Sequence, residues 1–270
     1  MAAEVDAAGG AHKRLSIAEQ GGSVRCMSML RFLVLFALAF ATAASAAPAK
    51  KKVLIFSGTT GYRHASIDVA VPAVARLVRA QGMEPVESEA PAAFDDLSGY
   101  AAIVLLSNST DPKKPESEWL VGARREALQR FVHGGGGVVA IHAAADSHYG
   151  WPWYTKMIGG RFASHPQGTP KGTLRRVTRA HPATKAMPER FERTDEWYYF
   201  NDQDAAAQLL VTLDPQSIGA ADVNANPVAW AKEFEGGRVF YTAMGHTAES
   251  YSEPLFLAHV AGGLRWATRR

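Results

Sequence analysis

The chain has almost no cysteine: one among 270 residues, Cys26, in an N-terminal stretch that reads as removed from the mature protein. A thiol nucleophile, a disulfide framework and a zinc–thiolate centre are thereby excluded. An excess of one charge is also missing, with 29 Lys and Arg against 26 Asp and Glu. Setting aside the four basic and three acidic residues of the first 46 leaves a net charge of +2, which argues against nucleic acid or an anionic membrane surface as partner. The most apolar run, Phe32 to Phe40, is too short to span a bilayer. The loop after the first strand signal is not G-x-G-x-x-G and has no P-loop Lys-Ser/Thr, so nucleotide binding is disfavoured. There is no H-E-x-x-H and no G-x-S-x-G elbow.

The N-terminus is informative. Met29-Leu30-Arg31, the apolar run and the small residues Ala44-Ser45-Ala46 form a basic start, a short hydrophobic segment and an A-x-A cleavage site. This predicts a secretory signal cleaved near Ala46, preceded by an over-extended start. Residues 47–270 are then one periplasmic or secreted domain, with no membrane span after cleavage. A domain without disulfides is held by its core, and the length suffices for one.

From Lys52 the pattern alternates. Lys52 to Phe56, Met83 to Ser88, Ala101 to Leu106 and Val138 to Ile141 read as strands. Ile67 to Gln81, with Val71, Val74, Leu77 and Val78 on one face, and Glu116 to His133 read as helices. Strand–helix alternation with short connections predicts an α/β fold: a flavodoxin-like open sheet, mostly parallel, with helices on both faces. After Gly150 a helical turn from Trp151, an edge strand over Gly172 to Thr178, strands over Gln208 to Leu213 and Asn226 to Phe234, a turn at Glu235-Gly236-Gly237, a strand over Arg238 to Ala243 and a helix over Pro254 to Arg269 follow.

Ligands bind at the carboxyl ends of parallel strands, and polar groups gather there. The first strand leads to Tyr62-Arg63-His64, the third to Asn108, the fourth to His142 and Asp146, and a late strand to His246. The strand directions predict that His64, His142 and His246 share one crevice. His142, His165 and His246 with a carboxylate are candidate ligands for a divalent ion such as zinc, although no tight ligand spacing supports it. In Asp195-Glu196-Trp197-Tyr198 carboxylates sit beside aromatics. That suits a sugar site, with rings for stacking and acids for hydroxyls, and equally suits a core strand.

Gly61-Tyr62-Arg63-His64, the Gly135-to-Asp146 segment, Gly159-Gly160-Arg161-Phe162 with His165-Pro166, Asp195-Glu196-Trp197-Tyr198, Pro227-Val228-Ala229-Trp230 and the Gly237-to-His246 segment together resemble the ThuA-like (trehalose utilisation) family, over essentially the whole chain from Lys52. The resemblance implies a fold of the class I glutamine amidotransferase-like superfamily. Where those amidotransferases carry a nucleophilic cysteine, this sequence has Ile141-His142-Ala143, so cysteine-dependent glutamine hydrolysis is not expected. It also implies a saccharide or keto-saccharide substrate and a sugar oxidoreductase in the same pathway.

Two functions remain. The first is an exported enzyme acting on trehalose-type disaccharides or their keto derivatives by histidine and carboxylate acid–base chemistry. In it His142 is base or metal ligand, Asp146 orients it, Glu196 is the acid, and His64 and His246 polarise a carbonyl or hydroxyl. Tyr62, Arg63, His64, Asn108, His165, Trp197 and Tyr198 then contact substrate. The second is a non-catalytic periplasmic carbohydrate-binding protein, stacking sugar on Trp197 or Tyr198.

Overall fold

The computed structural model describes residues 50–221 and 226–269; the signal segment assigned to residues 1–46 lies outside them. The apolar runs become strands and the periodic segments helices. In chain order these are β1 (Lys52–Phe56), α1 (Ile67–Ala80), β2 (Glu84–Ser88), β3 (Tyr100–Leu106), α2 (Ala123–His133), β4 (Gly137–Ile141), α3 (Pro152–Ile158), β5 (Arg161–Ser164), β6 (Lys171–Arg176), β7 (Arg190–Thr194), β8 (Tyr199–Asn201), β9 (Gln208–Asp214), β10 (Asn226–Phe234), β11 (Gly237–Thr242) and α4 (Pro254–Ala267). The run Val138-Val139-Ala140-Ile141 has no solvent exposure, as a strand covered on both faces requires.

A nine-stranded sheet has the order β2-β1-β3-β4-β11-β10-β9-β6-β7, and β5 pairs with β8 in a separate ribbon. Helices cover both faces, with α1 and α4 packed on each other. The pairings from β2 through β1, β3 and β4 to β11 are parallel. Those from β11 through β10, β9 and β6 to β7 are antiparallel. The expectation of a mostly parallel sheet is therefore corrected to an evenly mixed one. Parallel neighbours need a long crossover, whereas the chain after α3 returns through short loops and hairpins. At the β10–β11 turn, Glu235 and Gly236 both have positive φ, 47° and 96°, as a two-residue hairpin demands.

Three other boundaries differ from the sequence reading. The helix expected from Glu116 starts only at Ala123, because Gly122 sits at φ 52° and a separate short turn occupies Pro115–Ser117. Strand β6 is internal, and the edge is β7. The short strands β5, β7 and β8 carry no apolar run that marks them.

Helix α4 contains Gly262 and Gly263, which weaken a helix by about 1 kcal/mol each relative to alanine. Their reason is contact. A Cβ on Gly262 would lie 2.3 Å from the Pro182 carbonyl oxygen, and one on Gly263 2.3 Å from the Phe240 ring. We expect Gly262→Ala to destabilise the protein by roughly 1–3 kcal/mol despite its better helix propensity. Urea unfolding checks this: an unchanged or higher midpoint would refute the close packing of α4.

Candidate functional site

The carboxyl ends of β1, β4 and β11 lie on one edge of the sheet, and the histidines after them converge. Ring centroids are 4.8 Å apart for His64 and His142, and 5.1 Å for His64–His246 and for His142–His246. His142 follows β4 directly at φ 51°, a left-handed conformation unusual for a side-chain-bearing residue. Its carbonyl accepts a hydrogen bond from the Tyr241 hydroxyl at 2.9 Å. The loop after β1 is held against the loop after β3, with the backbone N–H groups of Thr60 and Gly61 donating to the Ser109 carbonyl.

Glu196 completes the cluster. Its Oε2 lies 3.3 Å from His142 Nε2 and 3.2 Å from His246 Nδ1, and these two nitrogens are 3.1 Å apart. His142 Nδ1 lies 2.7 Å from the Ala243 carbonyl. A carbonyl only accepts, so Nδ1 carries the proton and Nε2 of the neutral ring presents a lone pair. One proton on His246 Nδ1 then leaves Nε2 and the carboxylate facing each other without a donor. A cation in the triangle, either a further proton or a metal ion, resolves this.

The geometry fits a divalent metal. Ligand atoms of His64, His142, Glu196 and His246 lie within 4.8 Å of one another. Tetrahedral ligands at about 2.0–2.1 Å from zinc sit roughly 3.3 Å apart, close to the sides of the triangle. His64 Nδ1 is buried without a hydrogen-bond partner. The Ala243 carbonyl that fixes His142 is the usual outer partner of a metal-ligating histidine. Three nitrogens and one carboxylate form a donor set of the kind zinc accepts.

The charges agree. Burial, then the neighbouring His142 and His246, pushes the His64 pKa down to about 3, leaving it a neutral donor. Burial alone would raise Glu196, but its hydrogen bonds with His142 and His246 prevail and hold it well below the usual carboxylate range. The hydrogen bond with Glu196 raises His246. Asp146 goes the opposite way, pushed up to about 6 by burial.

Asp195, not among the sequence candidates, holds the site together. It has no solvent exposure, and its carboxylate accepts from the backbone N–H of Glu196 at 3.0 Å, Gly245 at 2.9 Å and His246 at 3.1 Å. Buried Arg193 lies 3.0 Å away and also donates to Ser250. Gly245 turns the chain into His246 at φ 108°, which only glycine adopts readily.

The remaining sequence candidates divide. His165 stands beside the cluster, its Nδ1 3.2 Å from Glu196 Oε1 and 2.8 Å from the Pro166 carbonyl. The exposed Tyr62 ring lies 4.8 Å from His64. Arg63 is engaged by Glu89 and Asp68. The structure places five of the expected site residues differently. Trp197 is fully buried with its indole N–H on the Pro170 carbonyl, so it offers no stacking face. Tyr198 is buried against the His142 ring. Asn108 is buried, with Tyr154 as its side-chain neighbour. In the candidate ligand set His64 stands where His165 was expected. Asp146 does not orient His142, a task of Ala243; it accepts from the Tyr149 hydroxyl.

Two outcomes follow. Asp195→Asn should weaken zinc binding by about 10–100-fold, read by competition with a chromophoric chelator, with the far-ultraviolet dichroism unchanged; full affinity would refute its positioning role. Asp146, protonated more readily when folded than its ordinary 3.8, contributes stability that is present below pH 3.8 and lost as pH rises through about 6. Asp146→Asn should therefore stabilise the protein by roughly 3 kcal/mol at pH 8 and flatten the stability profile between these values; an unaltered profile from urea unfolding would exclude this.

The family model described as Trehalose utilisation, ThuA, matches residues 52–267. A search of curated proteins finds no match. Among solved structures, a ThuA-like protein from Bacteroides uniformis superposes with a TM-score of 0.66 at 24% identity, over 84% of this chain and 95% of that one. One from Parabacteroides merdae gives 0.66 at 19%, over 82% and 90%. A glutamine amidotransferase from Thermotoga maritima shares the fold at 0.56 and 9% identity, over 82% and 99%. With the family model spanning nearly all the described residues, the chain belongs to the ThuA family.

Proposed function

We propose that this protein is an exported enzyme that transforms trehalose-type disaccharides or their keto derivatives at the His64–His142–Glu196–His246 cluster. The observation that carries this is the convergence of three histidines and a carboxylate at the sheet edge, with His142 Nδ1 committed to a carbonyl. Family membership supports a saccharide, and the sequence of residues 29–46 supports export. A divalent ion held by those four residues would polarise a carbonyl or hydroxyl oxygen of the substrate.

The chain's own groups supply the proton transfers. His165 Nδ1 faces the Pro166 carbonyl and Glu196 Oε1, so its proton sits there and Nε2 is free to act as base. Glu196, held ionised, is unsuited to the acid role expected from the sequence. Asp146, raised to about 6, is the carboxyl of the site that takes up a proton most readily. Two carboxylates pushed apart in this way mark acid and base sides of a site. In a keto-saccharide, His165 would take the proton beside the carbonyl, and Asp146 would protonate the oxygen that departs.

The test is NMR of trehalose, other disaccharides and their 3-keto forms incubated with the protein. We expect new product signals, a loss of about 10²–10⁴-fold in turnover for His165→Ala, and a comparable loss with loss of bound metal for His246→Ala. Saturable binding without product would return the carbohydrate-binding reading, which the burial of Trp197 and Tyr198 disfavours. No interaction with any saccharide would refute the substrate class.

A further inference from the structure

A second cavity lies between α3 and β10. It encloses about 710 Å³, within the range of small-molecule sites. Its walls include Tyr149, Arg161, Asp202, Asp204, Lys232 and Phe234. Resting on the saccharide reading above, we propose that this cavity is a second saccharide subsite, holding the ring next to the one that meets the histidine cluster.

Two structural links join the cavity to the cluster. The β5–β8 ribbon spans them: Arg161 and Asp202 stand at one end, His165 and Glu196 at the other. At about 3.4 Å per residue, Arg161 and His165 are roughly 13 Å apart. The second link is Tyr149, which lines the cavity and donates its hydroxyl proton to Asp146. Asp146 is itself within electrostatic reach of His142, Glu196 and His165. Asp146 thus joins the cavity wall through Tyr149 and the cluster through its charge.

The lining selects a neutral, polyhydroxylated ligand. Arg161 pairs with Asp202 at 3.0 Å, and Lys232 pairs with Asp204. Four of the five wall charges are thus paired, and Lys156 alone has no carboxylate partner among the described residues, so a strongly ionic ligand finds little uncompensated charge to offset its desolvation. Sugar hydroxyls both donate and accept, and so use guanidinium, ammonium and carboxylate together. Arg161 lies over the Tyr149 ring at 5.7 Å and Lys232 over Phe234 at 4.9 Å, which fixes the polar heads beside apolar ring edges. Asp202 is held at φ 55°, a strained conformation of the kind found at binding sites.

Calorimetry with trehalose on the full chain tests this. Arg161→Gln and Phe234→Leu alter the cavity without touching the cluster, and Glu126→Ala alters the exposed face of α2. We expect the first two to weaken trehalose binding at least ten-fold and the third to leave it unchanged. Wild-type affinity in both cavity variants, with affinity lost in Glu196→Gln, would overturn the subsite while the saccharide reading of the cluster stands. Absence of binding to the unaltered protein by trehalose and by its 3-keto form would overturn both.

Discussion

One buried carboxylate sets the geometry on which the site depends. Asp195 accepts from three backbone N–H groups, of Glu196, Gly245 and His246, and lies against Arg193. A carboxylate without solvent exposure is costly unless every lone pair is used. Here the partners come from two chain segments far apart in sequence, so satisfying Asp195 also locks the segment after β7 to the loop after β11. Glu196 and His246 are thereby fixed 3.2 Å apart. Because Arg193 also reaches Ser250 and Glu253, the same arrangement fastens the entry to α4.

The cluster is poised by opposing electrostatics. Burial works against every charge in it, and lowers His64 into a neutral donor. Around Glu196 the histidines outweigh burial, so a negative charge persists where a metal ion would want it. At Asp146 burial outweighs the Tyr149 hydrogen bond and the nearby histidines, so its pKa rises to about 6. Two carboxylates on one sheet edge thus have their proton affinities shifted in opposite directions for reasons of local contact alone. The strained His142 backbone, at φ 51° directly after β4, turns its ring into the cluster beside His64 and His246.

The outline of the fold was legible because buried strands announce themselves. Val53 to Phe56 and Val138 to Ile141 are unbroken apolar runs with no other stable location, and Glu235-Gly236 is a recognisable hairpin turn. Strands β5, β7 and β8 were not legible. Their burial is partial and their pairing partners distant, so no local pattern reports them. The convergence of His64, His142 and His246 followed from strand direction, since parallel strands end on one edge.

The sequence by itself determined the class of fold, the absence of thiol chemistry among the described residues, and which histidines end on one sheet edge, because these depend on composition, periodicity and chain direction. The tertiary structure decided the rest. That Trp197 is core rather than platform, that Asp195 is the anchor, that His64 replaces His165 in the candidate donor set, and that the Glu196 pKa falls while that of Asp146 rises all depend on distances between remote segments. Burial and pairing are properties of those distances, and no local stretch of sequence contains them.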